Sequence, residues 1–112
     1  MSQFVTFVWP GDLHLDQPGR DNHQIARWMA DDVSALIRPD FVQFAGDNVQ
    51  HARDDEFALF DDVTSRLTVP WYALVGDHDA HHDPGAHAFQ ARLGATYRAF
   101  SVRGFRFICL NT

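Results

Sequence analysis

Three short clusters of acidic residues and histidines punctuate this sequence: Asp12-Leu13-His14, Gly46-Asp47-Asn48 and Gly76-Asp77-His78-Asp79. Carboxylates and imidazoles are ligands for divalent transition cations, and a group of them in one place suits a pair of metals. Each cluster directly follows a short apolar run that reads as a β-strand. In an open α/β sheet, residues just past the carboxyl ends of parallel strands converge on one crevice. The three strand ends are therefore expected to bring Asp12, His14, Asp47, Asp77 and His78 together around metal ions, a constellation suited to phosphoester chemistry.

Taken singly, each cluster has a plainer reading. Asp12 and His14 stand two residues apart, so both can point the same way from extended or turning backbone and grip one cation, but such a pair also occurs in ordinary loops. Gly46 permits a tight turn that delivers Asp47 just past its strand, and Asp47 is equally at home as a turn residue. As chemistry, a carboxylate between the other two clusters is the natural bridge for two cations about 3.5–4 Å apart. The shared strand-then-turn order of all three clusters carries the metal reading.

The elements that must position them follow from the apolar pattern. Phe4–Trp9 is rich in aromatic and β-branched residues without helical period, and reads as a buried strand ended by Pro10-Gly11. A helix follows the Gln17-Pro18-Gly19 loop, capped by Asp21 or Asn22. Its apolar stripe is Ile25, Trp28, Met29, Val33, Leu36 and Ile37, and Arg38-Pro39-Asp40 stops it. Phe41–Ala45 is the second strand. A second helix runs from Asp54 to Leu67 with Phe57, Phe60, Val63 and Leu67 inward and acidic residues in its first turn, where the helix dipole favours them. The third strand is Trp71–Val75, and Pro84-Gly85 opens a shorter helix ending near Gly94. Tyr97–Val102 and Phe105–Leu110 form a hairpin around Arg103-Gly104. The fold class is thus α/β: a β-α-β-α-β parallel sheet with right-handed helical crossovers plus a C-terminal β-hairpin.

Bulk properties narrow the function classes. At 112 residues the chain is one domain or a piece of one, and its 46% hydrophobic content excludes a disordered tail. A net charge of −6 argues against a nucleic-acid scaffold held by phosphate contacts. The single cysteine, Cys109, excludes an internal disulfide, fits a reducing compartment and reads as a small buried hydrophobe. Met1-Ser2-Gln3 leads into the first strand without a signal sequence, and no apolar stretch reaches the ~20 residues of a bilayer span. The expected location is cytoplasmic. His51 and His81-His82-Asp83 read as loop residues, and His23 and His87 as exposed helix positions. Arg20 and Arg53 read as solvated charges, Trp28 as core, and the acidic runs 31–32, 54–56 and 61–62 as the wet faces of two helices.

The ordered clusters resemble those of the calcineurin-like metallophosphoesterases, whose pattern is Asp-x-His, Gly-Asp, then Gly-Asn-His-Asp/Glu, followed by later Gly-His and Gly-His-x-His elements. Asp12 and His14 match the first element, Gly46 and Asp47 the second, and Gly76, His78 and Asp79 the third; Gly46–Val49 and Val69–Tyr72 also look like that family. The resemblance covers roughly residues 4–80. It implies the first half of a metallophosphoesterase α/β sandwich, with residues 1–112 as the N-terminal part of a domain whose C-terminal half, with its histidine elements, is absent. It also implies a dinuclear site for Mn, Fe, Zn or similar ions. Asp12 and His14 would hold the first metal, Asp47 would bridge and Asp77 would bind the second. His78 would protonate the leaving alcohol, and Asp79 would orient His78. Aspartate stands at position 77 where the family usually has asparagine; it keeps an oxygen ligand but adds negative charge near the phosphate.

The activity so implied is metal-dependent hydrolysis of a small phosphoester or nucleotide-like substrate. Protein Ser/Thr phosphatases fit less well, because their second element continues Gly-Asp-x-x-Asp-Arg-Gly, whereas this chain reads Gly46-Asp47-Asn48-Val49-Gln50-His51. A phosphoryl-accepting receiver domain needs a late lysine, and the chain has none. The competing class is a degenerate, non-catalytic half-domain that acts as an interaction module, self-associating or completing its fold with a partner chain.

Overall fold

A computed structural model describes residues 4–111; Met1-Ser2-Gln3, read above as leading into the first strand, and Thr112 lie outside the described residues. Among the described residues, five strands and three α-helices follow in the order β1 (Phe7–Val8), α1 (Asp21–Asp32), β2 (Phe41–Phe44), α2 (Asp54–Ser65), β3 (Trp71–Ala73), α3 (His87–Leu93), β4 (Arg98–Val102) and β5 (Phe105–Cys109). Strands β1, β2 and β3 form a parallel sheet in that order, with Phe7 opposite Phe41 and Val42 opposite Trp71. Strands β4 and β5 pair antiparallel from Arg98–Cys109 to Val102–Phe105. The α/β class, the parallel order and the hairpin are as the sequence predicts.

Every residue of β2 is buried because the central strand is covered on both faces. On one side Phe44 packs edge-on against Phe60 of α2, ring centroids 4.9 Å apart. On the other, Phe41 meets Phe100 and Phe107 of the hairpin at 5.2 and 4.9 Å, and Tyr72 stacks on Phe100 at 3.6 Å. The hairpin is therefore a third layer laid over the sheet. Its turn is held by Arg103, whose Nε donates to Asp40 Oδ1 at 2.7 Å, while Asp40 Oδ2 accepts the Thr6 amide at 2.9 Å. Cys109 is buried, its thiol directed at Gln43 Oε1.

Several local expectations give way to tertiary context. The first strand is short, and Phe4 and Trp9 are 79% and 58% exposed, because β1 is the sheet edge and does not share the two-sided cover of β2. Arg20, not Asp21 or Asn22, occupies the N-cap of α1, without a side-chain cap. The buried face of α1 is His23, Ala26 and Ala30, continued by Val33 just past its end, while Ile25, Trp28, Leu36 and Ile37 are exposed, so Trp28 is not core. Small residues let α1 approach α2 closely, and polar links then run between them. The Gly19 amide donates to His23 Nδ1, which leaves the proton on Nε2 for Asp62 at 2.9 Å. Arg66 grips Asp31 with two bonds of 2.9 Å and holds that carboxyl below its ordinary pKa. His23 is thus an interface residue rather than an exposed one. A π-helical turn, Val33–Ile37, ends this segment, with Arg38 in left-handed conformation.

Glu56 departs furthest from the expected wet face: it is fully buried. Its carboxylate accepts the amides of His51 (2.7 Å) and Arg53 (3.2 Å) and the His51 Nδ1 proton (2.8 Å), completing a capping box at the start of α2. His51 thus lies in an exposed loop as read, with its ring tied to Glu56. His87 is exposed as expected, as are His81 and His82.

Candidate metal centre

The loops after β1 and β2 continue their parallel pairing beyond the strands. The amides of Asp12, His14 and Leu15 donate to the carbonyls of Gly46 (3.2 Å), Asp47 (3.0 Å) and Asn48 (3.1 Å), and the Gln50 amide returns to Leu15 (3.0 Å). This zipper places the first cluster beside the second. Asp12, His14 and Asp47 all have positive φ, at 56°, 49° and 51°. Aspartate and histidine tolerate that region better than most residues, yet it remains a strained conformation of the kind that collects at functional sites.

The result is a group of three. One ligand atom from each of Asp12, His14 and Asp47 lies within 4.8 Å of the others. His14 Nε2 stands 3.7 Å from Asp12 Oδ1 and 4.0 Å from Asp47 Oδ2. Both His14 separations are below twice a metal–ligand bond of ~2.1 Å, so a cation there can touch His14 and either carboxylate, and the 4.8 Å bound keeps the third ligand close. Two carboxylates and one imidazole form a donor set for Mn, Fe or Zn, and the Asp12 side chain, 78% exposed, leaves the site open on one side. The residues fit a divalent cation.

The third cluster joins through backbone. Gly76 touches Asp47 so closely that a Cβ there would collide with the Asp47 amide nitrogen and carboxylate. Gly46, at φ 105°, packs against Gly76, where a Cβ would stand 3.3 Å from the Gly76 Cα. The two glycines thus let the second and third turns meet. The His78 amide then donates to Asp47 Oδ1 at 2.9 Å, and the His78 ring lies edge-on to His14, centroids 4.7 Å apart.

Not every expected residue converges. Asp77 is exposed at the start of a 3-10 turn (His78–Ala80) and lines a separate cavity with Leu110 and Asn111. It stands outside the three-residue group. Asp79 does not orient the His78 ring. Its buried carboxylate accepts the amides of Gly76 (2.8 Å), Asn48 (2.9 Å) and Val49 (3.1 Å) and the Asn48 Nδ2 proton (3.2 Å), so it locks the Asp47 loop to the third turn. Burial pushes the Asp79 carboxyl up to about 6, and the Asp47 charge adds to the rise against the pull of those amides. The His78 ring is held instead by the Gln50 carbonyl, which accepts its Nδ1 proton at 2.8 Å.

Residues the motifs did not mark also shape the site. Gln50 Oε1 accepts the His14 Nδ1 proton at 2.7 Å. Asn22, at the start of α1, donates to the carbonyls of Leu13 (3.1 Å) and His14 (2.7 Å) and fixes the first loop. An open cavity of about 580 Å³ lies beside His14 and Gln50, with Arg20 on its wall. Arg20 faces Asp16 at 3.5 Å and Arg53 pairs with Asp55 at 3.2 Å, so both guanidiniums have local partners. The only sequence signal for Gln50 is its place three residues after Asp47.

Known proteins resemble this chain in sequence. A relative from Arcobacter nitrofigilis, named as a probable glycerophosphodiester phosphodiesterase, is 38% identical over 42 residues, which is 38% of this chain. That match spans only 15% of the relative's own length. Residues 5–111 match the family model of the calcineurin-like phosphoesterases, a stretch that includes all three loops and the hairpin. The convergence of an Asp-x-His loop and a Gly-Asp loop at parallel strand ends has its explanation there: this chain belongs to the calcineurin-like phosphoesterase family.

Proposed function

We propose that the protein hydrolyses phosphoesters, as a phosphodiesterase or phosphatase on a small or nucleotide-like substrate, with a dinuclear divalent metal site. The observation that carries this is the meeting of Asp12, His14 and Asp47 within 4.8 Å in a chain of this family. Asp12 and His14 would hold the first cation, and Asp47 would be shared between the two. Asp77 would hold the second with its carboxylate turned toward Asp47; it adjoins the His78 amide already bonded there. Bound cations of this type supply Lewis acidity toward phosphoryl oxygens and lower the pKa of water.

The chain's own groups do the rest. Phosphoryl transfer spreads charge over its oxygens, so fixed positioning matters more than a covalent nucleophile. With Nδ1–H committed to the Gln50 carbonyl, His78 in its protonated form presents its second proton on Nε2, where a leaving oxygen can accept it. Asp79 keeps the loops carrying Asp47 and His78 in register.

The test is turnover of bis(p-nitrophenyl) phosphate with Mn²⁺. Hydrolysis that disappears on Asp47→Ala and on chelation supports the proposal. A folded, metal-loaded sample with no turnover favours a second reading, a non-catalytic half-domain that associates with itself or with a partner chain. The observations behind that reading are the extra carboxylate of Asp77 and the exposure of Ile108 and Leu110 on the hairpin, 67% and 63%.

A further inference from the structure

One residue touches both imidazoles of the candidate centre, by two different parts of itself. The Gln50 side-chain Oε1 lies 2.7 Å from His14 Nδ1, and the Gln50 main-chain carbonyl lies 2.8 Å from His78 Nδ1. An amide or carbonyl oxygen only accepts, so both histidines must carry their proton on Nδ1. In the neutral ring this leaves the Nε2 lone pair bare. For His14 that nitrogen faces Asp12 and Asp47, at 3.7 and 4.0 Å.

Gln50 itself is well placed to hold these contacts. Its amide donates to Leu15 at 3.0 Å, beside the bridge that pairs Leu15 with Val49, so its backbone is part of the zipper between the first two loops. Its carbonyl therefore stays in place whatever its side chain does.

We infer that Gln50 is a positioning residue that sets the tautomer of both histidines, through its side chain for His14 and its backbone for His78. The inference rests on the metal-site reading for its effect on cation binding, but the tautomers themselves exist without metal. A hydrogen-bond acceptor on the far nitrogen of a ligating histidine fixes ring orientation and raises ligand basicity, and losing such a partner typically weakens metal affinity 10–100-fold. Side chain and backbone can be separated by substitution, since Gln50→Ala removes the contact to His14 and leaves the one to His78.

The decisive measurement is the ¹⁵N tautomer signature of His14 and His78 by long-range ¹H–¹⁵N correlation in the metal-free protein, at a pH where both rings are neutral. In the wild type both rings are expected as the Nδ1–H form. In Gln50→Ala, His14 is expected to relax to a tautomer mixture while His78 keeps its form, which also reports that the loop is intact. Gln50→Glu keeps an acceptor and should restore the His14 tautomer. Mn²⁺ titration should then show 10–100-fold weaker binding for Gln50→Ala and recovery in Gln50→Glu. An Nε2–H signature for His14 in the wild type, or a His14 tautomer unchanged in Gln50→Ala, overturns the inference. If the wild type binds no Mn²⁺, the metal reading fails, and the tautomer data still decide the role of Gln50.

Discussion

At Asp47 a single carboxylate meets two demands: Oδ1 accepts the His78 amide and Oδ2 faces His14. Asparagine in its place can still accept the amide, but it lacks the charge that attracts a cation. Asp47→Asn should therefore fold like the wild type yet lose the rise in thermal midpoint produced by Mn²⁺, which at a hundredfold excess over Kd corresponds to about 2.7 kcal/mol. Calorimetry with and without metal reads this directly. Gly76→Ala puts a methyl into Asp47 itself, where backbone must shift. Its expected cost is about 1–3 kcal/mol in denaturant unfolding, with the Mn²⁺ response weakened as well. Asp79 carries a pH signature. Its carboxyl titrates near the ordinary 3.8 in the unfolded chain and about 6 in the folded one, so the folded state binds more protons between those values. Stability from this residue is therefore fully present below pH 4 and declines as pH rises through 6. In chelator-treated protein, the stability advantage of wild type over Asp79→Asn should shrink between pH 4 and pH 7, by about 2–3 kcal/mol.

Among the elements, α1 shows how a neighbour chooses the buried face. Ala26 and Ala30 lie against α2, with ion pairs from Asp62 and Arg66 around them, while the bulkier Trp28 and Ile25 face outward. Ala30→Leu should then overpack the helix interface and cost about 1–3 kcal/mol, whereas Trp28→Ala should stay within about 0.5 kcal/mol of wild type. Had the larger apolar stripe been the packed one, that order would reverse, so chemical denaturation of the two variants separates the alternatives. The sheet, in contrast, packs as its pattern implies: Phe44 turns to α2 and Phe41 to the hairpin.

For the molecule as a whole, the hairpin covers one face of the sheet with Phe100 and Phe107 and leaves Ile108 on its own outer side. Ile108, on that outer side, is 67% exposed, and Leu110 just past the strand is 63% exposed. Exposed apolar side chains of this size favour association. Sedimentation velocity over a range of concentrations should show the chain associating with itself, and Ile108→Asp should return it toward monomer without changing its Mn²⁺ response.

What the sequence determines by itself is what local rules govern. Alternating apolar runs and turn residues suffice for the strand–helix order, the parallel sheet and the hairpin, because each is written in a few consecutive residues. The strand-end grammar likewise marks Asp12, His14 and Asp47, since parallel neighbours must release their loops at one edge. Tertiary structure alone decides the rest. The buried sides of Glu56 and His23, conventionally wet residues, follow from partners distant in the chain. The left-handed backbone of the three ligand-type residues is set by the zipper between two loops. Asp79 serves the Asp47 loop rather than its neighbour His78 because burial leaves its carboxylate facing amide protons from both turns. No spacing rule encodes Gln50, because its reach to two histidines exists only once two loops have been laid side by side.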